Sequence, residues 1–123
     1  MIQFQKEDLE NIGKMLCESF PEDNIVYYLG NCNLTMVFDG DESRVYIKTI
    51  AEDLILSYIV LQHSRKGIAT KLLEILKIIG IERGFNRIVV ESVLTPSMEA
   101  FCIKHNMILE DKNTFTKNYY INL

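Results

Sequence analysis

Between Leu54 and Leu94 three apolar patterns follow one another, and together they leave few folds open. LILSYIVL (54–61) is rich in β-branched and large apolar residues, as a strand is. From Ile68 to Arg83 the residues Ile68, Leu72, Leu76 and Ile79 recur at helical spacing, and Leu73, Ile75, Ile78 and Ile81 widen the stripe. A helix this apolar is expected to press against a sheet. Gly84 supplies a helix stop. RIVVESVL (87–94) follows, and its continuous apolar centre predicts a strand covered on both faces. Strand, helix and strand in about 40 residues predict a right-handed crossover between parallel strands.

The flanking segments fit around that unit. MIQFQ alternates like a short strand. Leu9, Ile12, Met15, Leu16 and Phe20 predict a helix from Lys6 to Phe20, ended by Pro21. PEDNIVYYLGNC (21–32) reads as a short second helix or as a loop containing Gly30. NLTMVFD and SRVYIKTI flank Asp39-Gly40-Asp41, where an Asp-Gly pair offers the positive φ of a hairpin turn. A break at Ala51–Asp53 leads into the strand at 54, which makes an antiparallel meander of three strands. After Pro96, SMEAFCIKHNM predicts a short helix, and KNTFTKNYYINL one last strand or a pair. The expected class is α/β (α+β), with a mixed sheet: antiparallel strands first, then a central parallel strand–helix–strand crossover.

With 48% hydrophobic residues, 123 residues suffice for one core, so a single domain over 1–123 is expected. No run of about 18 apolar residues predicts a membrane span, and the early acids of MIQFQKEDLE predict no secretion signal. Cys17, Cys32 and Cys102 are an odd number at unrelated spacings, which favours a reducing cytoplasm over disulfides. With only His63 and His105 besides, no metal centre is expected.

Net charge is 13 − 17 = −4, which argues against nucleic-acid binding. The charge is unevenly spread. From His63 to Arg87 the cations Arg65, Lys66, Lys71, Lys77, Arg83 and Arg87 face only Glu74 and Glu82, giving 6 − 2 = +4. The remainder is −4 − 4 = −8. A basic middle suits an anionic ligand; it also suits a plain solvated helix face.

HSRKGIATKLL (63–73) places Arg65, Lys66 and Gly67 where the helix opens. The first backbone N–H groups of a helix have no partner inside it, and the helix dipole adds positive charge there. Such a turn, at the C-terminal end of a strand, binds phosphate. Ala69 keeps the next turn small and Thr70 adds a hydroxyl. Neither GxxxxGK[ST] nor GxGxxG is present, and a strand-to-helix loop with exposed cations would read the same.

SRKGIATKLLEIL resembles the pyrophosphate loop and following helix of the GCN5-related N-acetyltransferase (GNAT) superfamily, whose pattern is [QR]-x-x-G-x-[GA]. Gly67 and Ala69 match, and Ser64 stands at the first position. The family's later Asn-x-x-Ala and Tyr-x-x-x-Gly-Phe are answered by Ser97 with Ala100 and by Cys102 with Asn106-Met107. The order of elements resembles the family along nearly the whole chain. The resemblance implies acetyl transfer from acetyl-CoA to a primary amine, on a small molecule or on a protein lysine or N-terminus. It implies that main-chain groups near Tyr58, Ile59 and Val60 hold the pantetheine arm and acetyl carbonyl. Ser64, Arg65, Lys66, Gly67, Ile68, Ala69 and Thr70 would hold the pyrophosphate, and Ser97 would take the Asn position. Glu91, a carboxylate in an apolar strand, is the candidate base, and Cys102, in the place of the Tyr acid, the candidate acid. Tyr119 and Tyr120 are substitutes for that acid. Each of these has a packing alternative, and His63 and His105 read as surface groups. The departures at Ser64, Ser97 and Cys102 also fit a non-catalytic domain of this fold that binds acyl-CoA or a protein. A homodimer is compatible with either reading.

Overall fold

The computed structural model describes residues 2–62, 67–110 and 117–123. Helix α1 (Lys6–Ser19) leads to four strands, β1 (Val26–Gly30), β2 (Thr35–Asp39), β3 (Arg44–Ile50) and β4 (Asp53–Val60). Helix α2 (Ile68–Arg83), strand β5 (Arg87–Val90), helix α3 (Pro96–Lys104) and strands β6 (Ile108–Glu110) and β7 (Asn118–Asn122) complete it. One sheet runs in the order β1-β2-β3-β4-β5-β7-β6, and β4–β5 is its parallel pair. The mixed α/β architecture is as expected.

Four details differ from the sequence reading. VYYLG is a strand, not a helix or loop, and its partner is β2. The turn joining them uses Asn31, Cys32 and Asn33, all at positive φ (50°, 55° and 64°), a conformation that local rules assign mainly to glycine. Residues 2–5 form no strand; they are tied to the β1–β2 turn by Phe4 N–H donating to the Asn33 carbonyl at 2.9 Å and Gln3 Nε2 donating to the Cys32 carbonyl at 3.0 Å. Gly40 does not have positive φ. It is required because a Cβ there would overlap the Asp23 carboxylate, which accepts from the Glu42 and Ser43 N–H groups at 2.8 and 2.9 Å. The strand predicted over RIVVESVL ends at Val90, because Ser92 turns at φ 54° and its N–H donates to Asn118 Oδ1.

The core lies on one face of the sheet. Alternation and register put Met36, Phe38, Val45, Ile47, Leu54 and Leu56 on that face, with Ile88, Val90 and Tyr119 beyond them. Leu9, Ile12 and Leu16 of α1, Leu72, Leu76 and Ile79 of α2, and Cys102 of α3 close over them in one cluster. The opposite face carries no helix in the described residues. There Tyr46 stacks on Tyr58, Lys48 pairs with Glu91, and Arg87 pairs with Asp53 and Glu110 while lying over Tyr120.

Asp8 fixes α1 to α2. Its carboxylate is buried, accepts the Gln5 N–H at 2.8 Å to cap α1, and takes two bonds from Arg83 at 3.0 and 3.1 Å. An unpaired carboxylate at this depth is costly. Arg83→Ala is expected to lose about 3 kcal/mol in urea unfolding. A loss below about 1 kcal/mol, the range of a surface pair, would show that the pair does not hold the helices.

Candidate functional site

The site expected from the sequence falls where β4 and β5 part. Their parallel ladder pairs Asp53 to Leu56 with Arg87 to Val90, and a last bond runs from Glu91 N–H to the Leu56 carbonyl at 3.1 Å. Beyond it β4 continues to Val60, paired only with β3. The chain after β5 leans the other way, toward β7, with Val93 N–H bonded to the Lys117 carbonyl. One backbone edge of Ser57–Val60 therefore has no strand along it among the described residues. A wedge opens there.

A bulge sets the geometry of β4 in the wedge. Tyr46 pairs with Tyr58 and Ile47 with Leu56, so Ser57 is the extra residue, and its hydroxyl donates to the Tyr46 carbonyl at 3.1 Å. A bulge bends and twists its strand and re-aims the residues after it. Ile59 turns toward the core, while Tyr58 and Val60 are exposed on the opposite face.

Helix α2 begins at the same end of the sheet. Gly67 is its N-cap at φ 99°, exposed, and an added Cβ would meet nothing. The glycine is thus demanded by backbone conformation rather than by crowding. The Lys71 N–H donates to the Gly67 carbonyl at 2.8 Å, so the N–H groups of Ile68, Ala69 and Thr70 precede the first intrahelical bond. Ile68 is buried and anchors this first turn. The Thr70 hydroxyl lies 3.2 Å from His105 Nε2, and the Phe101 ring packs against that imidazole at 4.5 Å. Thr70 thereby ties α2 to α3, and His105 is half-buried rather than a free surface group. Ser64, Arg65 and Lys66 lie outside the described residues, as does His63.

The remaining candidates divide. Glu91 sits one residue past β5, at the closed end of the wedge, with Lys48 Nζ 3.2 Å from its carboxylate. Ser97 is exposed in the first turn of α3 beside Thr95, the residue that caps this helix by accepting the Met98 N–H at 3.2 Å. A Thr directly before Pro is a cap signal readable in the sequence. Cys102 is fully buried within the core, and burial pushes its thiol up to about 11. Next to it lies Tyr119, paired with Val90. Burial first, then the Glu99 carboxylate, raise its phenol above the ordinary value. Lys48 and the Ser57 bulge had no local signal, because each depends on a cross-strand register. Among the described residues no group of His, Cys, Asp and Glu is placed to hold a metal, and no helix is long and apolar enough to cross a membrane.

No known protein-family model matches the sequence, and no curated protein does. Solved structures do. The PaiA N-acetyltransferase of Thermoplasma acidophilum, in complex with coenzyme A, is 18% identical over 97% of this chain and 72% of its own, with a TM-score of 0.59. A Bacillus subtilis acetyltransferase in complex with CoA is 12% identical over 98% and 95%, TM-score 0.55. An acetyltransferase of the GNAT family from Listeria monocytogenes is 13% identical over 74% and 65%, TM-score 0.55. The chain has the GNAT fold.

Within this GNAT fold the three cysteines differ sharply in access: Cys32 exposed, Cys17 half-buried, Cys102 buried. Thiolate is the reactive form, and a buried, raised thiol supplies little of it. Titration with a disulfide dye at pH 8 is expected to modify Cys32 fast and Cys102 only after unfolding. Fast modification of Cys102 in the Cys17→Ser, Cys32→Ser variant would show that the wedge reaches it.

Proposed function

We propose that the chain is an acyltransferase that moves an acetyl group from acetyl-CoA to a primary amine. The observation that carries the reading is the backbone edge of Ser57–Val60, along which no strand runs among the described residues, facing a wedge whose rim is the α2 N-terminus. Main-chain groups of Tyr58, Ile59 and Val60 suit an extended amide-bearing arm, which would lie along β4 as a strand does. The N–H groups of Ile68–Thr70, which have no partner within the helix, with Ser64, Arg65, Lys66 and Gly67 before them, suit a pyrophosphate. Ser97 offers a further hydroxyl at α3. These residues fit the cosubstrate, whose thioester supplies the activated acyl group when bound.

The amine attacks only as a neutral base, so one proton must leave it. Glu91 is the group proposed to take it, directly or through water, after sharing its carboxylate with Lys48. On collapse the C–S bond breaks, the nitrogen releases its second proton to solvent to become the amide, and the departing thiolate needs a proton. Cys102 is the donor implied by the family resemblance, in which it takes the place of the Tyr acid. Main-chain N–H groups of β4 would stabilise the developing oxyanion, and holding both reactants in the wedge supplies the proximity term. No covalent enzyme intermediate is needed.

The enclosure of Cys102 favours a second reading, an acyl-CoA-binding domain of the same fold without turnover. Calorimetric titration with acetyl-CoA, followed by a free-thiol release assay over a panel of mono- and polyamines, separates the two. Binding with release supports the enzyme; binding without release supports the second reading; no binding removes both. Gly67→Asp places a carboxylate at the α2 N-cap and is expected to weaken acetyl-CoA binding more than tenfold while the circular dichroism stays that of the parent. Unchanged affinity would sink the phosphate assignment. Cys102→Ala should slow acetyl transfer about 10²-fold if the thiol is the acid; an unchanged rate assigns it to packing.

A further inference from the structure

The outer face of α2 carries charge and apolar groups in an order that the fold does not use. Lys71, Ile75, Ile78 and Glu82 follow one another at spacings of four, three and four, which aligns them along one side of the helix. Ile78 is 58% exposed, Ile75 half-buried, and Lys71 and Glu82 are exposed. Neither charged residue has an ion-pair partner among the described residues. Beside this stripe runs a groove of about 450 Å³, walled by Glu7, Asp8 and Asn11 of α1 and by Ile75, Ile78 and Glu82 of α2. A wholly apolar helix pressed to the sheet would have left nothing of this kind outside.

We propose that this face is the interface of a homodimer, with α2 packed antiparallel on α2 of a second copy. The stripe reads Lys-Ile-Ile-Glu, and its reverse reads Glu-Ile-Ile-Lys, so the pattern is complementary to itself under a two-fold axis. A register that sets Ile75 against the copy's Ile78 also sets Lys71 against the copy's Glu82. Two-fold symmetry repeats both contacts. The four isoleucines then occupy the centre and two opposite-charge pairs the rim, which is the arrangement of a packed helix interface. The groove against α1 gives the copy's side chains room at helix-packing distance. A partner with a different sequence would need to supply this same charge order, whereas a second copy already carries it.

The test is sedimentation of the full chain over a concentration series. A concentration-dependent shift to the mass of two chains is expected. Lys71→Glu opposes Glu82 of the copy in both symmetric pairs and should weaken the dimer about tenfold. Glu82→Lys should do the same, and the double charge swap should bring affinity back to within about threefold of the parent. Ile78→Asp should give a monomer, with circular dichroism confirming that it is folded. The exposed charge variants keep the test valid should that variant unfold. A chain that stays monomeric throughout the series overturns the proposal. So does a dimer that ignores both single charge reversals, or one that the double swap does not restore.

Discussion

Four parallel residue pairs between β4 and β5 govern the rest of the molecule. Parallel neighbours cannot be joined by a short turn, so the chain must leave β4, form α2, and return. The pairing also stops early. At Ser57 a bulge re-aims β4, and past Val90 the backbone commits its hydrogen bonds to Lys117 and Asn118 instead. Past Val90 the chain bonds to Lys117 and Asn118 and no longer follows β4, so among the described residues no strand runs along the far half of β4 on that side. Arg87 acts at the other end, bridging Asp53 and Glu110 across the sheet while resting on Tyr120. The sheet is held at one end and parted at the other.

The core has a single side. All three helices contribute to one cluster, and the period-two alternation of β2, β3 and β4 sends their large apolar residues to meet it. Two surfaces are left outside. One is the opposite sheet face, where Tyr46, Tyr58, Lys48 and Glu91 gather near the wedge. The other is the outer side of α2, whose isoleucines are more than one sheet face can bury. Asp8 and Arg83 settle how α1 lies against α2, and so shape the groove beside that stripe.

How much could be read beforehand varied with how local each cause is. The crossover was legible because its helix is long, periodic and stopped by Gly84. Strand β1 was not. Val26, Tyr27 and Tyr28 favour a strand, but the segment becomes one only by pairing with β2 through a turn of three left-handed non-glycine residues. MIQFQ erred in the opposite direction: its alternation is real, yet among the described residues no strand pairs with it. Gly40 stands in a turn as expected, for a reason found in Asp23, 17 positions earlier.

The same division runs through the candidate site. Gly67 carried its own signal, since a glycine opening an apolar helix implies a backbone turn, and its φ of 99° is such a turn. Composition and periodicity determined the class of fold and the order of its principal elements, and marked Gly67 as the start of α2. Tertiary structure alone decided that Glu91 meets Lys48, that Cys102 is enclosed beside Tyr119, and that the β4–β5 ladder stops at Leu56 and Val90. Periodicity belongs to a segment and can be read along it. Register, burial and an unpaired edge belong to pairs of segments, and they exist only once the chain has brought those segments together.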